Sequence, residues 1–288
     1  MSPTEGAMMT SANVEQVNGV GIEYVEQGDG LPLVFVHGYI SDHRVWDYQR
    51  HIIAAHNRFI APSQRYFGTR PWPDSGKGFS PSTHVEDLAV LIRKLDVAPA
   101  HIVGWSYGAA LALALAVRHP DCVSSVFAYE PGVTTFVEDP LDARIVTEDR
   151  NDMVSAALAL KNRGDTASAI CAVFDHANGS TGLFDALPDA LRSIFLDNAR
   201  TVPLMFGEAE PLSISRADLA RINVPVVMAR GQLSRPLYRI ATDTAHGCIP
   251  TSRLVVIPDA MHAAPILMPT RFNQVLLDHL SALGIAWN

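Results

Sequence analysis

Two hydrophobic patterns alternate along the chain: short, wholly apolar runs, and longer stretches in which apolar residues recur every three or four positions. A short apolar run between turn residues is typical of a strand that is buried on both faces of a sheet. A longer run with helical periodicity is typical of a helix that packs on one side. The apolar runs predict strands at residues 14–17, 22–25, 33–36, 59–61, 102–103, 123–128, 224–229 and 254–257.

Helical patterns separate most of these predicted strands. They lie at residues 45–55, 83–95, 107–118 and 271–283. Asn18-Gly19 separates the first two strands and predicts a hairpin turn. Beyond the hairpin, the alternation of strand and helix predicts an α/β protein with a mostly parallel, doubly wound sheet and helices on both of its faces.

The alternation stops in the middle of the chain. Three helical patterns follow one another there with no apolar strand between them, at residues 152–162, 166–175 and 186–199. We therefore predict a core formed by residues 1–132 and 223–288, and an inserted helical cap formed by residues 133–222. Because a parallel sheet binds ligands beyond the carboxyl ends of its strands, a cap inserted there would cover the binding site.

Composition and charge exclude several classes of protein. The 288 residues are 48% apolar and 18% charged, which suits one large globular domain with an insertion. The net charge of -8 is spread along the chain without a basic stripe, so we expect no nucleic-acid partner. The longest apolar run, residues 109–117, is well short of the roughly 18 residues that a membrane-spanning helix needs. We therefore expect no membrane partner.

The expected location is the cytoplasm. The N-terminal residues 1–16 lack the basic start and the continuous apolar stretch of a secretory signal. Three widely spaced cysteines, Cys122, Cys171 and Cys248, form no paired motif, so we expect reduced and mostly buried thiols. The sequence shows no metal, phosphate-loop or dinucleotide pattern, and it predicts no cofactor and no metal. The oligomeric state is left open, with a homodimer as one option.

The strongest motif is Gly104-Trp105-Ser106-Tyr107-Gly108, which directly follows one predicted strand and directly precedes an alanine-rich helix. This context is that of a nucleophile elbow, a strained turn that holds a serine hydroxyl out at the edge of the sheet. The turn crowds the backbone, so small residues are needed two positions before and after the serine. Gly104 and Gly108 meet that need, and Ser106 is the candidate nucleophile.

A serine hydroxyl is a weak nucleophile near neutral pH and needs a base, which a histidine can provide. Of the 11 histidines, His262 follows the last predicted strand through a short loop, so it should lie at the carboxyl end of a strand beside Ser106. His37-Gly38 ends the third strand and opens a loop that can aim a backbone N–H at a developing oxyanion. The second N–H would be that of Tyr107.

These features together resemble the α/β-hydrolase fold superfamily, from about Val14 to the C-terminus. The matching elements are the His-Gly pair after the third strand, the glycine-serine-glycine motif, and the histidine after the last strand. The resemblance implies that Ser106 is the nucleophile, that His262 is the base, and that the N–H groups of Tyr39 and Tyr107 form the oxyanion hole.

The acidic member of the set departs from the commonest pattern of that superfamily, in which an acidic residue follows the strand after the cap. Ser234 stands at that place, and a serine cannot supply the charge that stabilises an imidazolium. Glu130 is the predicted replacement, because it ends the preceding strand at the same sheet edge as Ser106. Some branches of the superfamily carry the acid there, including haloalkane dehalogenases and certain esterases and lactonases. Glu130 could instead be a hinge residue paired with an arginine, and Asp259 and Asp243 are the alternative acids.

The loop of residues 63–73 follows the fourth strand and is rich in arginine and aromatic residues. Arg65 or Arg70 could pair with a substrate carboxylate, and Tyr66 could pack on an acyl or aromatic group. Alternatively, Arg65 anchors the loop internally and the aromatic side chains pack under the cap. Trp105 should line the pocket wall. The candidate substrate-binding residues are thus Arg65, Tyr66 and Trp105.

A serine nucleophile argues against haloalkane dehalogenase and epoxide hydrolase chemistry, since those relatives use an aspartate at that position. The sequence therefore predicts a serine hydrolase that cleaves a small carboxylic ester, with a carboxylate-bearing or aromatic monoester as one hypothesis. Two alternatives stay open. One is a carbon-carbon bond hydrolase or a lactonase that uses the same triad, and the other is a non-catalytic ligand-binding protein on this fold.

Overall fold

Eight strands form one sheet in the computed structural model, which describes residues 12–207 and 210–285. The strands are β1 (Asn13–Val17), β2 (Val20–Gln27), β3 (Pro32–Val36), β4 (Arg58–Pro62), β5 (Ala100–Trp105), β6 (Val123–Tyr129), β7 (Val226–Gly231) and β8 (Ser252–Ile257). Their order across the sheet is β1-β2-β4-β3-β5-β6-β7-β8. The strands from β3 to β8 all pair in parallel, whereas β2 pairs antiparallel with both β1 and β4.

The mostly parallel α/β sheet predicted from the sequence is confirmed, and so is the hairpin at its edge. Asn18 (φ 46°) and Gly19 (φ 79°) connect β1 to β2. Both residues lie in the left-handed region, which a tight two-residue hairpin turn favours because its twist matches that of the strands.

Helices connect the strands and fill the long segment between β6 and β7. They are α1 (Asp47–Ala54), α2 (Pro81–Lys94), α3 (Tyr107–Arg118), α4 (Pro140–Lys161), α5 (Thr166–Ala177), α6 (Asp189–Asp197), α7 (Val202–Met205), α8 (Arg216–Ala220), α9 (Pro236–Cys248), α10 (Ala264–Leu267) and α11 (Pro269–Ala282). Short 3-10 turns lie at His43–Trp46, Pro120–Cys122 and Ala199–Thr201.

Helices cover both faces of the sheet because the side chains of each strand alternate between the faces. On β3, Val34 and Val36 join a core cluster with α2, α3 and α9, whereas Leu33 and Phe35 join a second cluster with α1 and α11. All four side chains are almost fully buried. The sheet therefore lies in the middle of the core, and its strands end at one common edge.

Helix α3 is apolar on all sides, and ten of its residues are buried. A helix with that composition is stable only inside a core. Gly108, its second residue, packs so closely on β3 that a Cβ atom there would lie 2.0 Å from the carbonyl oxygen of Val36. A Cβ atom on Gly104 would lie 2.5 Å from the carbonyl oxygen of Gly108. Glycine is therefore required at both positions of the predicted elbow.

The segment between β6 and β7 contains helices α4 to α8 and no strand among its described residues. Helix α4 begins at Pro140, well before the start at residue 152 that the sequence predicts. The first half of α4 is rich in charged residues, so hydrophobic periodicity does not indicate it. The local signal is Asp139, whose carboxylate accepts the N–H groups of Leu141 and Asp142, both at 3.0 Å, and caps the helix before its initial proline.

The division into a core (residues 1–132 and 223–288) and a cap (residues 133–222) stays a prediction. Parts of these segments lie outside the described residues, namely residues 1–11, 208–209 and 286–288. Most of the N-terminal stretch that lacks signal character falls in the first of these parts.

Two further findings concern membrane-spanning helices and the cysteines. Within the described part of the chain, no helix is both long enough and apolar enough to cross a bilayer. The three cysteines are free thiols, of which Cys122 is buried and Cys171 and Cys248 are half-buried.

We predict that Gly108→Ala prevents stable folding. The added methyl group would collide with backbone of β3, which cannot move without separating the sheet from α3. The expected loss in the free energy of unfolding is roughly 3 kcal/mol or more. Urea denaturation followed by circular dichroism measures it.

The matched control is Gly247→Ala on α9, where a Cβ atom meets nothing within 4 Å. Because alanine is a better helix former, this variant should gain about 0.5 kcal/mol. If both variants unfold at the same urea concentration, the close approach of α3 to β3 is not as tight as described.

Candidate active site

Ser106 occupies the turn between β5 and α3. Its backbone has φ 57° and ψ -114°, a conformation that residues other than glycine rarely adopt. The Ser106 N–H donates to the carbonyl oxygen of Tyr129 at 2.9 Å, and the Ser106 carbonyl oxygen accepts the N–H of Gly132 at 3.2 Å. The turn is thus held by the end of β6, and the half-buried serine side chain lines a cavity.

Glu130 directly follows β6, has a positive φ of 51°, and is fully buried. Its Oε2 atom lies 2.6 Å from Nδ1 of His262. Its Oε1 atom accepts the N–H of Gly231 at 2.8 Å and the hydroxyl of Ser234. Both oxygens of the buried carboxylate therefore have hydrogen-bond partners. A buried charge needs such partners because it has lost its contact with water.

His262 is held on several sides. The ring of Tyr238, in the first turn of α9, stacks on the imidazole with centroids 3.7 Å apart and planes 15° apart. Trp105 donates its Nε1–H to the carbonyl oxygen of His262 at 2.8 Å, and the hydroxyl of Tyr129 donates to that of Met261 at 2.7 Å. The imidazole therefore has a fixed position, with Nδ1 on the carboxylate and the residue lining the same cavity as the serine.

The loop after β3 begins with His37 and Gly38. The buried ring of His37 donates from Nδ1 to the carbonyl oxygen of Gly38 at 2.7 Å, and its Nε2 accepts the N–H of Gln64 at 3.0 Å. Burial lowers the pKa of His37 to about 4, so the ring is neutral at pH 7. A Cβ atom on Gly38 would lie 3.3 Å from Cβ of Ser106. The pair therefore fixes the loop and lets Tyr39 follow directly beside the serine turn.

Tyr39 and Tyr107, the predicted oxyanion donors, are joined through their side chains. Their rings stack with centroids 3.9 Å apart and planes 11° apart. The hydroxyl of Tyr107 lies 2.6 Å from Nδ1 of His84 on α2. Burial raises the pKa of Tyr39 to about 12 and lowers that of His84 to about 3. The N–H of Tyr107 also belongs to the first turn of α3, where backbone N–H groups have no partner within the helix and can stabilise an anion.

The cavity beside Ser106 has a volume of about 120 Å³ and a mostly apolar lining. Trp105, Tyr107 and His262 line it from the sheet edge. The segment between β6 and β7 contributes Arg150, Met153, Val154, Val173, Phe174, Ala177, Asn178, Phe195, Met205 and Phe206. The helices between β6 and β7 therefore shape the space in front of the serine.

Arg65 and Tyr66 do not line this cavity, in contrast to the prediction. Asp87 on α2 is buried, and the guanidinium of Arg65 donates to both of its carboxylate oxygens at 2.8 Å. A buried carboxylate needs a counter-charge, and Arg65 supplies it to the protein rather than to a substrate. The hydroxyl of Tyr66 donates to Asp74 at 3.0 Å. Of the three candidate substrate-binding residues, Trp105 is the one that lines the cavity.

The two alternative acids lie elsewhere. Asp259 is exposed and pairs with Arg271 at 3.0 Å. Asp243 on α9 pairs with Arg230 at 2.7 Å. Of the three candidate carboxylates, Glu130 is the one within hydrogen-bond distance of the imidazole.

Two residues of the site were not expected from the sequence. Tyr238 stacks on His262, and Arg150 lines the cavity from α4. The tyrosine contact joins two segments that are distant in sequence, and no local pattern indicates it. Arg150 lies in the charged first half of α4, and the capping signal at Asp139 would have placed it on a helix.

A hydroxyl and an imidazole that line one cavity, with a carboxylate behind the imidazole, form the arrangement by which proteins make a serine nucleophilic. The model of the alpha/beta hydrolase family matches residues 33–275, a range that includes all three groups. The chain belongs to the alpha/beta hydrolase family. Membership of this family indicates a hydrolytic enzyme.

Several relatives of this alpha/beta hydrolase are named as hydrolases. The 2-(acetamidomethylene)succinate hydrolase of Mesorhizobium japonicum is 29% identical over 246 residues, which cover 82% of this chain and 83% of the relative. Among solved structures, an esterase from Rhodococcus sp. ECU1013 matches with a TM-score of 0.77 at 22% identity, covering 95% of this chain and 99% of its own. A meta-cleavage product hydrolase from Pseudomonas fluorescens IP01 matches with a TM-score of 0.74 at 21% identity, covering 94% and 98%. These two structures share the fold.

We predict that this alpha/beta hydrolase loses stability in acid partly through His84. Its pKa lies at about 3 in the folded state, below its ordinary value of 6.5. The unfolded chain therefore binds a proton at His84 below about pH 6.5, while the folded chain stays neutral there, and stability falls as the pH falls towards 3. The contribution of His84 between about pH 7.5 and pH 5 is about 2 kcal/mol.

Urea denaturation at both pH values measures this loss in the wild type and in His84→Gln, which cannot titrate. The variant should lose about 2 kcal/mol less than the wild type over this interval. His51→Gln on α1 is the matched control and should follow the wild type, because His51 is exposed. An equal pH dependence in the wild type and His84→Gln would contradict the prediction.

Proposed function

We propose that this alpha/beta hydrolase is a serine esterase that cleaves small carboxylic esters through an acyl-serine intermediate, with Ser106 as nucleophile, His262 as base and Glu130 as the orienting acid. The observation that carries the proposal is the 2.6 Å hydrogen bond between Nδ1 of His262 and Oε2 of Glu130. It leaves the other ring nitrogen of His262 for the serine that lines the same cavity.

In the acylation step, the hydroxyl oxygen of Ser106 attacks the ester carbonyl carbon while His262 accepts the hydroxyl proton. The imidazolium that forms is stabilised by the carboxylate of Glu130. His262 then returns the proton to the leaving alkoxide, and the alcohol departs. In the deacylation step, His262 takes a proton from water while the water oxygen attacks the acyl carbon. His262 then returns that proton to the oxygen of Ser106 as the bond between this oxygen and the acyl carbon breaks, which releases the acid and regenerates the serine.

The tetrahedral intermediates carry a negative charge on the former carbonyl oxygen. The backbone N–H groups of Tyr39 and Tyr107 are the proposed donors to that oxygen. The close approach of Gly38 to Ser106 supports this assignment, because it brings the loop after β3 beside the serine turn. The position of Tyr107 at the start of α3 adds the favourable end of the helix dipole.

The surroundings of Glu130 support its role as the acid. Ser234 stands where the commonest pattern of the superfamily has its acid, and its hydroxyl donates to Oε1 of Glu130. Ser234 therefore does not act as the acid itself. It donates a hydrogen bond to Glu130, which contacts His262 from the end of the neighbouring strand β6. Glu130 after β6 and an aspartate at the position of Ser234 after β7 are thus two alternative ways to place a carboxylate beside the same imidazole, because β6 and β7 are adjacent in the sheet.

The proposed substrate is a small ester, and one that carries a carboxylate or an aromatic group is favoured. The apolar lining of the cavity suits a hydrocarbon or aromatic part. The relative from Mesorhizobium japonicum is named for a succinate derivative, which is a dicarboxylic compound. The chemistry needs no cofactor, and the free thiols suit the reducing conditions of the cytoplasm.

We expect Glu130→Gln to lower kcat for a p-nitrophenyl ester by up to about 10⁴, because the amide cannot stabilise the imidazolium or keep its tautomer. Ser106→Ala should remove turnover to the background rate. Asp259→Asn is the matched control and should keep wild-type kcat, since its carboxylate faces Arg271 at the surface. The rate of p-nitrophenol release gives kcat for the wild type and the three variants.

A fluorophosphonate probe separates this proposal from a non-catalytic binding protein. The probe labels an activated serine, so mass spectrometry should find it on Ser106 in the wild type and much less of it in Glu130→Gln. Wild-type activity in Glu130→Gln together with its loss in Asp259→Asn would refute the assigned acid. Absence of labelling together with absence of ester turnover would refute the esterase itself.

A further inference from the structure

One arginine lines the space in front of Ser106. Arg150, on α4, lines the cavity beside the serine and also a second cavity of about 340 Å³. The two cavities share Tyr39, Tyr107 and Gly132, so they adjoin. Among the described residues that line the first cavity, Arg150 carries the only permanent charge.

The described residues leave this charge without a partner. Arg150 forms no ion pair or hydrogen bond with them, although Arg144, Glu148 and Asp149 on the same helix are paired. Asp149, the preceding residue, pairs with Arg235, and Arg144 pairs with Glu148 at 3.8 Å. Arg150 is exposed to solvent, so it can remain unpaired until an anion enters the cavity.

The surrounding charges favour an anion on one side of Arg150. Its charge lowers the pKa values of Tyr39 and Tyr238, although burial raises both by more, so its field reaches the groups around the serine and the histidine. Glu210 lines the second cavity but not the first. Arg150 lines both cavities, and Glu210 adds a negative charge to the second alone, so the first cavity is the more favourable place for an anion beside Arg150.

We propose that Arg150 binds a carboxylate of the substrate, so that this enzyme prefers esters carrying a free carboxylate over neutral esters of the same size. A guanidinium offers paired N–H donors that match the two oxygens of a carboxylate. The apolar lining of the first cavity takes the short hydrocarbon part between that carboxylate and the ester bond. This inference rests on the proposed esterase function and names its substrate class.

The test compares two pairs of esters that differ in one negative charge. Mono-4-nitrophenyl adipate and 4-nitrophenyl hexanoate place the charge on the acyl part. The second pair, 4-acetoxybenzoate and its methyl ester, places it on the leaving group. For at least one pair, Arg150→Met should lower the ratio of kcat/KM for the charged ester to that for the neutral ester by about tenfold, mainly through KM.

Three comparisons make the result specific to the charge. Arg150→Lys should keep a larger ratio than Arg150→Met, because it keeps a cation. Added salt should reduce the wild-type ratio and leave that of Arg150→Met unchanged. The matched control Arg144→Met removes an arginine from the same helix that does not line the cavity, and it should keep the wild-type ratio. Equal ratios in the wild type and Arg150→Met for both pairs would overturn the proposal.

The two proposals fail in different ways. Turnover of neutral esters that depends on Ser106, with no effect of Arg150 on the charge ratio, would refute the substrate class and keep the esterase. If no ester is hydrolysed above the rate of Ser106→Ala, the proposed esterase function is refuted. The role of Arg150 is then tested by measuring ligand binding. Calorimetry should then show tighter binding of benzoate than of benzamide to the wild type, and Arg150→Met should abolish that difference. Equal binding of the two ligands by the wild type would refute the carboxylate site as well.

Discussion

The burial of one carboxylate organises the sheet edge where the site lies. Transfer of an isolated carboxylate from water into a protein costs several kcal/mol, and donors must offset that cost. Glu130 is fully buried and takes its partners from the end of β7, from the loop that follows it, and from the loop after β8. The chain around residues 231–234 and the loop that carries His262 are both distant in sequence from Glu130, and they meet at its charge. The hydrogen bond to His262 is part of the same set, so the group that completes the proposed triad also closes this part of the fold.

Backbone strain is concentrated at the same edge. Ser106, Glu130 and Ile40 all have positive φ, and Ile40 is β-branched, for which that region is especially unfavourable. Each such residue costs of the order of 1 to 3 kcal/mol and persists only where its surroundings hold it in place. The surroundings here are the tight packing of Gly104 and Gly108, and the strand-end hydrogen bonds of the serine turn. The core of the sheet therefore stabilises conformations that the isolated loops would not adopt.

The sequence predicts well the features whose signals are local. The glycines around Ser106 can be recognised because the crowding they relieve comes from the turn itself, and the sheet follows from short apolar runs. Glu130 could be proposed because parallel strands end at one edge. Arg65 shows the limit: its ion pair with Asp87 depends on a buried carboxylate on another element, which no spacing reveals. Arg150 and Tyr238 were missed for a related reason, since a charged helix half and a contact between distant segments leave no periodic pattern.

The first turn of α9 connects helix α4 to the imidazole. Asp149 on α4 accepts hydrogen bonds from Arg235 and from the N–H of Leu237, at the very start of α9. The next residue, Tyr238, lies flat on His262. A displacement of α4 would therefore be transmitted through about one helical turn to the ring of the proposed base. Since α4 also carries Arg150, which lines the cavity, a shift of this helix on binding of an anion at Arg150 would also move the residues next to the tyrosine that stacks on His262.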